Sequence, residues 1–160
     1  MSDGETYFQQ AQQIEKLLAV AETWVGTPFV LNGNIKGAGV SCQHLPAEIY
    51  KECGLNVEWT PPRGTGGAAD QEKENRMSEF IAATNQFIMV PMADGNYNLL
   101  MPGDLLTFRV VRGEYHLGLF LAQSGLIFLH TISPYGVSYS NLFDPTYATR
   151  FLKAWRPLKK

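Results

Sequence analysis

Partway along the chain the spacing of apolar residues changes period, and that change limits the folds open to it. From Thr6 to Val25 the residues Phe8, Ala11, Ile14, Leu18, Ala21 and Val25 recur at helical spacing, with Glu15, Lys16 and Glu22 elsewhere on the wheel. This predicts an amphipathic helix packed on a core and ended near Gly26 and Pro28. A second helix is expected after Val40 and a short third one within Ala69 to Ala83, begun by Asp70 or a neighbour. From about Phe87 onward the period shortens to two. Candidate strands are Phe87 to Val90, Asp104 to Val111, Tyr115 to Ala122, Leu126 to Thr131, Gly136 to Ser140 and Phe151 to Arg156, divided by turn signals such as PGD, RGE, QSG and SPYG. Helices followed by a run of short antiparallel strands describe an α+β domain, with N-terminal helices packed on a curled antiparallel sheet of about five to six strands. With no internal repeat, low-complexity tract or linker, residues 1–160 read as a single domain.

Charge narrows the partners. The formal net charge is -2, and no Lys/Arg cluster occurs beyond Lys159 and Lys160, which argues against nucleic acid or an anionic membrane. No apolar run reaches the roughly 20 residues that span a bilayer, and MSDGETYFQQ lacks the basic and apolar regions of a secretion signal. The expectation is a chain that is cytoplasmic as synthesised, unless a leader has been removed. Its two cysteines, Cys42 and Cys53, would stand about 16 Å apart along one helix at 1.5 Å per residue, beyond disulfide reach.

The segment WVGTPFVLNGNIKGAGV, Trp24 to Val40, is rich in turn formers and reads as an irregular stretch wrapping past something. Helical spacing resumes at Leu45, Ile49 and Cys53, and Gly54 stands where a C-cap is expected. Ser41 reads as the N-cap and Pro46 falls in or just after the first turn. Cys42 is thereby placed at a helix start, where the dipole and unpaired N–H groups favour the nucleophilic thiolate. Taken alone, a free cysteine is more often a small buried hydrophobe.

Two histidines weigh against that bland reading. QSG between YHLGLFLA and LIFLHT suits a three-residue hairpin loop with Gly125 in the left-handed position, which sets Ala122 opposite Leu126 and Gly118 opposite His130. His116, Gly118 and Phe120 then share a face with Leu126, Phe128 and His130, and the imidazoles become diagonal neighbours with Gly118 leaving space beside them. A cysteine at a helix start and two histidines on one strand face are the parts of thiol catalysis. His116 would take the proton of Cys42, His130 would orient the His116 ring, and the N–H groups at the helix start would hold an oxyanion.

The motifs GTPF (Gly26 to Phe29), Gly37 to Cys42, PGDLLTF (Pro102 to Phe108), HLGLFL (His116 to Leu121), FLHT (Phe128 to Thr131) and WRP (Trp155 to Pro157) resemble, in that order, the NlpC/P60 cysteine peptidases. The likeness is strongest to the phage-tail and prophage type and spans about residues 20 to 157. It implies a papain-like fold and an endopeptidase that cleaves amide bonds in peptidoglycan stem peptides, typically between D-glutamate and a diamino acid. It further implies Cys42 as nucleophile, His116 as base and His130 as the third polar position. A chain with no visible signal would then need delivery to the cell wall by a phage particle, a secretion system or lysis. The chain departs from that pattern at Ser41, where Asp is usual, at Phe29, where Tyr is usual, and at Gln43 and His44, where small residues are usual. These four are the candidate substrate-binding residues, and their departures imply an altered pocket.

SCQHL also resembles the NCEHF segment of lecithin:retinol acyltransferase-like proteins, so a thiol acyltransferase or lipid or thioester hydrolase is an alternative. A degenerate cell-wall-binding module is another. No cofactor is expected, and zinc is disfavoured because no close-set ligand pair occurs. The stretch Leu55 to Ala68 has no period and is long enough to line a site. Trp59, Tyr135 and Tyr139 are cleft or packing aromatics, and Asp104 and Asp144 read as turn and strand-start residues. Oligomeric state is not legible.

Overall fold

The computed structural model describes residues 4–61, 76–93, 95–110 and 113–159. Its helices are α1 (Ala11–Trp24), α2 (Leu45–Glu52), α3 (Arg76–Ala83) and the short α4 (Pro145–Ala148). Its strands are β1 (Asn34–Ile35), β2 (Gly39–Val40), β3 (Phe87–Met89), β4 (Leu105–Val110), β5 (Gly113–Ala122), β6 (Ile127–Ile132), β7 (Gly136–Asn141) and β8 (Phe151–Pro157). The strands β3 to β8 form one antiparallel sheet in the order β3-β8-β4-β5-β6-β7, while β1 and β2 pair as a separate small ribbon. The α+β architecture expected from the change of period is therefore the observed one, with six strands in the main sheet.

Side-chain alternation sorts β5 onto two layers. Leu117, Leu119 and Leu121 join Leu129 and Val137 beneath Leu17, Ala21, Trp24, Leu45, Ile49, Tyr50, Met77 and Ile81, so α1, α2 and α3 all cover this face. Each leucine withdrawn there contributes roughly 1.5–3 kcal/mol. On the other face Phe120 gathers with Leu106, Phe108, Phe128, Leu142 and Ala154, and Tyr147 of α4 closes over them. The sheet thus has a helix-covered face and an aromatic face.

Two differences from the sequence reading have local causes. The first helix begins at Ala11 and not at Thr6, because Thr6 bridges Leu158 and the Tyr7 amide bonds the Pro157 carbonyl, extending the end of β8. Gln10 and Gln13 then form a reciprocal capping box. The second helix proper begins at Leu45, after a hydrogen-bonded turn from Ser41 to His44. The third falls where its apolar residues placed it, but Asp70 lies outside the described residues, as does the second half of the loop that follows Leu55.

Asp104 and Asp144 are structural, as their setting suggested. The carboxylate of Asp104 accepts from Nε and Nη2 of Arg156 at 2.8 and 2.9 Å and from the Met101 amide at 2.8 Å. Burial pushes its pKa up against the pull of Arg156 and that amide. Asp144 caps α4 by accepting from the Thr146 amide.

Candidate functional site

Cys42 sits in the turn that carries the chain from β2 into α2. Ahead of it, Val40 is clasped by backbone bonds to Pro28 and Val30, and Phe29 bridges Val40. This puts half-buried Phe29 beside the run Ser41 to His44. The carbonyl of Ser41 accepts from the amides of His44 and Leu45, and its hydroxyl accepts from the His44 amide at 3.2 Å. Ser41 caps the turn as its sequence position indicated, although His44 occupies the cap position of the regular helix.

The sulfur of Cys42 is buried and has the backbone N–H groups of Leu117, Cys42 and Gln43 directed at it. Those donors favour thiolate, yet burial outweighs them and pushes the thiol up to about 11. The expected low-pKa thiol is thus reversed by desolvation. The resting group is a neutral thiol.

Leu117 follows His116 directly, so the sulfur lies against β5 one residue past the first histidine. The hairpin register follows the sequence reading over Leu119↔Leu129 and Phe120↔Phe128, while at the turn a bulge sets Ala122 opposite Ile127. Gly125 and Leu126 both take positive φ to make that turn. The ladder to β6 begins at Leu119, which leaves the Leu117 amide turned towards Cys42. On the other side of β5 the register with β4 slips beyond the Phe108↔His116 pair, a bulge of the sort that re-aims a side chain.

The two imidazoles lie on the aromatic face and meet as the hairpin predicted. Nε2 of His116 is 2.8 Å from Nδ1 of His130, and Nε2 of His130 is 2.8 Å from Oγ of Ser140. Phe108 stacks near His116, while Phe128 and Tyr147 enclose His130. The space beside Gly118 is not open: a Cβ there would stand 2.9 Å from Phe128 and 3.2 Å from Phe108. Burial lowers His116 to about 3, helped by His130, and lowers His130 to about 4. Both rings are neutral at pH 7. Each then carries one N–H, and the two bonds can run in either direction; when His130 donates through Nε2 to Ser140, His116 donates through Nε2 to His130 and its Nδ1 is left as an acceptor.

Ser140 was missed by the sequence reading. The signal was present, since the alternation in GVSYS puts Ser138 and Ser140 on one face and the pairing Phe128↔Ser140 shares that face with His130. Trp59 also proves more specific than a packing aromatic. Its indole N–H donates to the Gln43 carbonyl at 2.6 Å, tying the loop after Leu55 to the residue following Cys42. Gln43 itself is buried. His44 is half-buried, with Nδ1 2.8 Å from Ser41 Oγ, and lines a groove of about 320 Å³ with Asn34, Glu48, Lys51, Asn56 and Trp59. Among the described residues, no group of three or more His, Cys, Asp or Glu converges to hold a metal ion. No described helix is long and apolar enough to cross a membrane.

No family model matches the sequence. A probable endopeptidase of Haemophilus influenzae is 25% identical over 150 residues, which are 89% of this chain and 77% of that protein. Among solved structures, an NLP/P60 family protein of Staphylococcus aureus superposes with a TM-score of 0.64 at 16% identity, over 100% of this chain and 45% of that one. The NlpC/P60 domain of the peptidoglycan hydrolase SagA matches with a TM-score of 0.51 at 21% identity, over 92% of this chain and 98% of the domain. The chain thus spans less than half the length of the Staphylococcus aureus protein and nearly all of the SagA domain. Its fold is that of the NlpC/P60 proteins.

Proposed function

We propose that this chain is a cysteine peptidase that hydrolyses amide bonds in peptidoglycan stem peptides through a thioester on Cys42. The observation that carries the reading is the chain of groups Ser140, His130 and His116, which ends one residue from the amide facing the Cys42 sulfur. In this scheme Nδ1 of His116 removes the thiol proton as Sγ attacks the scissile carbonyl carbon. The oxyanion collects the N–H groups at the start of the Cys42 turn. Collapse breaks the C–N bond, the leaving amine takes the proton from His116, and a thioester remains. Water then attacks, giving its proton to His116, and the carboxylic product departs as Cys42 regains its proton. For this step His130 accepts from Nε2–H of His116 and donates through its own Nε2 to the Ser140 hydroxyl, which keeps Nδ1 of His116 free.

A neutral thiol and a neutral imidazole suit this sequence of steps. Charge separates only when substrate arrives, so His116 acts as a base during attack and not as a standing cation. The description of the Haemophilus influenzae relative as an endopeptidase and of SagA as a peptidoglycan hydrolase supports the substrate class. Ser41, Phe29, Gln43 and His44 form the neighbouring wall that would contact the substrate.

The deciding experiment digests purified peptidoglycan with the wild type and with Cys42→Ala and identifies the released fragments by mass. New amide-cleavage products that vanish in Cys42→Ala are expected. Sugar-chain cleavage, or equal products from both proteins, overturns the reading. The raised pKa of the thiol is also what a binding module would show, and such a module would retain peptidoglycan in a pull-down while releasing nothing.

A further inference from the structure

We infer that the hydroxyl of Thr131 is a hydrogen-bond donor held in reserve for the sulfur of Cys42, idle against the thiol and engaged as the thiolate forms. On the peptidase reading thiolate is the attacking species, and the role given to Thr131 rests on that reading. Thr131 is 0% exposed, yet its Oγ1 has no hydrogen-bond partner among the described residues. A buried hydroxyl left unpaired is costly, and valine would fill the same shape without that cost. The packing around Thr131 gives the hydroxyl no use. Thr131 lies opposite Val137 in the sheet, on the helix-covered face that Leu117 and Leu129 share, and all three neighbours are apolar.

What lies beside Thr131 is the gap that holds the sulfur. The amide of Val137 points outward to Thr27, so Thr131 and Val137 face each other without hydrogen bonds between them, and the peptide groups of Thr131 point the other way, towards β5. The β5–β6 ladder pairs Leu119 with Leu129, and the same register two residues on sets Thr131 across from Leu117. The bond from His116 to His130 shows that the strands keep this register past the end of the ladder. At that point the Leu117 amide is directed at Cys42 and not at β6. Cys42 reaches the gap from the start of α2, whose Leu45 and Ile49 pack in the same layer as Val137, so Thr131 meets the gap from the helix side and the imidazoles from the other. Charge is what this sulfur has too little help to carry, since burial outweighs the N–H groups of Leu117, Cys42 and Gln43. When His116 takes the thiol proton, the S–H bond breaks and Sγ becomes a strong acceptor. A turn about the Cα–Cβ bond of Thr131 then brings its O–H to the sulfur as a further donor, and Thr131 keeps its own proton throughout. The cost of the idle hydroxyl is relieved as the charge forms, so the bond favours attack over the resting state.

The test measures alkylation of Cys42 by iodoacetamide at pH 8, read by mass on the peptide that contains it, in the wild type, Thr131→Val and Thr131→Ser. Thr131→Val is expected to react about threefold to tenfold more slowly, which is the thiolate lost with one hydrogen bond to a charged group, less the nucleophilicity regained. Its thermal midpoint should rise by a few degrees, because the unpaired hydroxyl is gone. Thr131→Ser keeps the hydroxyl and should react at nearly the wild-type rate. A hydroxyl with no role at the sulfur would give the higher midpoint with an unchanged rate, and that result overturns the inference. So does a lower midpoint or an unfolded chain in Thr131→Val, which would mean that the hydroxyl is bonded in the resting fold. Equal slowing in Thr131→Ser, or a wild-type Cys42 that iodoacetamide does not reach, overturns it as well. Turnover of a synthetic stem peptide separates these outcomes from the peptidase reading. Hydrolysis by the wild type that Thr131→Val does not slow sinks the role of Thr131 alone, while alkylation that follows the hydroxyl without any hydrolysis sinks the peptidase and leaves Thr131 standing.

Discussion

Ser140 shows how a residue with no chemistry of its own can set the state of a reactive one. Its hydroxyl is bonded to Nε2 of His130, whose Nδ1 is bonded to Nε2 of His116. Ser140→Ala is expected to lower kcat about threefold to tenfold with little change in KM, the loss of roughly 1 kcal/mol from one neutral hydrogen bond. Steady-state rates on a stem peptide would read this, and Ser140→Thr, which keeps the hydroxyl, should recover most of the rate. Cys42 carries a second prediction at this scale. With Cys53→Ser removing the other thiol, the absorbance of thiolate near 240 nm should rise only as pH approaches about 11. At pH 8 less than about a tenth of the signal should be present. A titration centred near pH 6 or 7 would mean that the resting site is a thiolate–imidazolium pair, and burial would not be the dominant influence.

Among the elements, the β6–β7 turn links the sheet to the stretch that precedes the nucleophile. Gly136, at φ 70°, lies so close to the irregular segment that a Cβ there would stand 2.5 Å from the Thr27 carbonyl. The neighbouring amide of Val137 donates to that same carbonyl at 2.9 Å, and Gly26 returns a bond to Val137. Gly136→Ala combines a positive φ with a backbone clash, so a loss of about 1–3 kcal/mol is expected. In a chain of this length that is a fall of roughly 2–10 °C in Tm by calorimetry. Activity should fall as well, because Val40 hangs from the same segment through Pro28 and Val30, and Ser41 through Gly33. An unchanged midpoint would show that the turn moves aside at little cost.

For the molecule as a whole, the buried imidazoles tie stability to pH. Unfolded, each histidine takes up a proton near pH 6.5; folded, His116 and His130 do so only near 3 and 4. Between those limits the unfolded chain binds more protons. The stabilising contribution is therefore complete above about pH 6.5 and is lost as pH falls through the window. Between pH 7 and 5 the loss is on the order of 2 kcal/mol per ring. Asp104, whose folded pKa is raised, works in the opposite direction and offsets part of it on further acidification. Urea denaturation at pH 7 and 5 should give a lower midpoint at pH 5, and His130→Gln should narrow the gap. A midpoint independent of pH would contradict the desolvation assigned to the pair.

What the sequence settled by itself was whatever local spacing controls. The change from helical to alternating period marked the helices and the sheet, and the hairpin about Gly125 carried the register of Leu119 and Phe120 that brings His116 to His130, although the loop takes in Leu126 and a bulge sets Ala122 opposite Ile127. Period two even carried the place of Ser140, had the last strand been read against its neighbour. Only the tertiary structure decided the rest. It put the sulfur where β5 and β6 have not yet joined, filled the space beside Gly118 with Phe128 and Phe108, and gave the Ser41 hydroxyl to His44. Above all, it determined the charge state of the thiol. Helix position and nearby N–H groups are short-range features that a sequence displays, but desolvation sums over side chains brought together from the whole chain, and here it outweighs them.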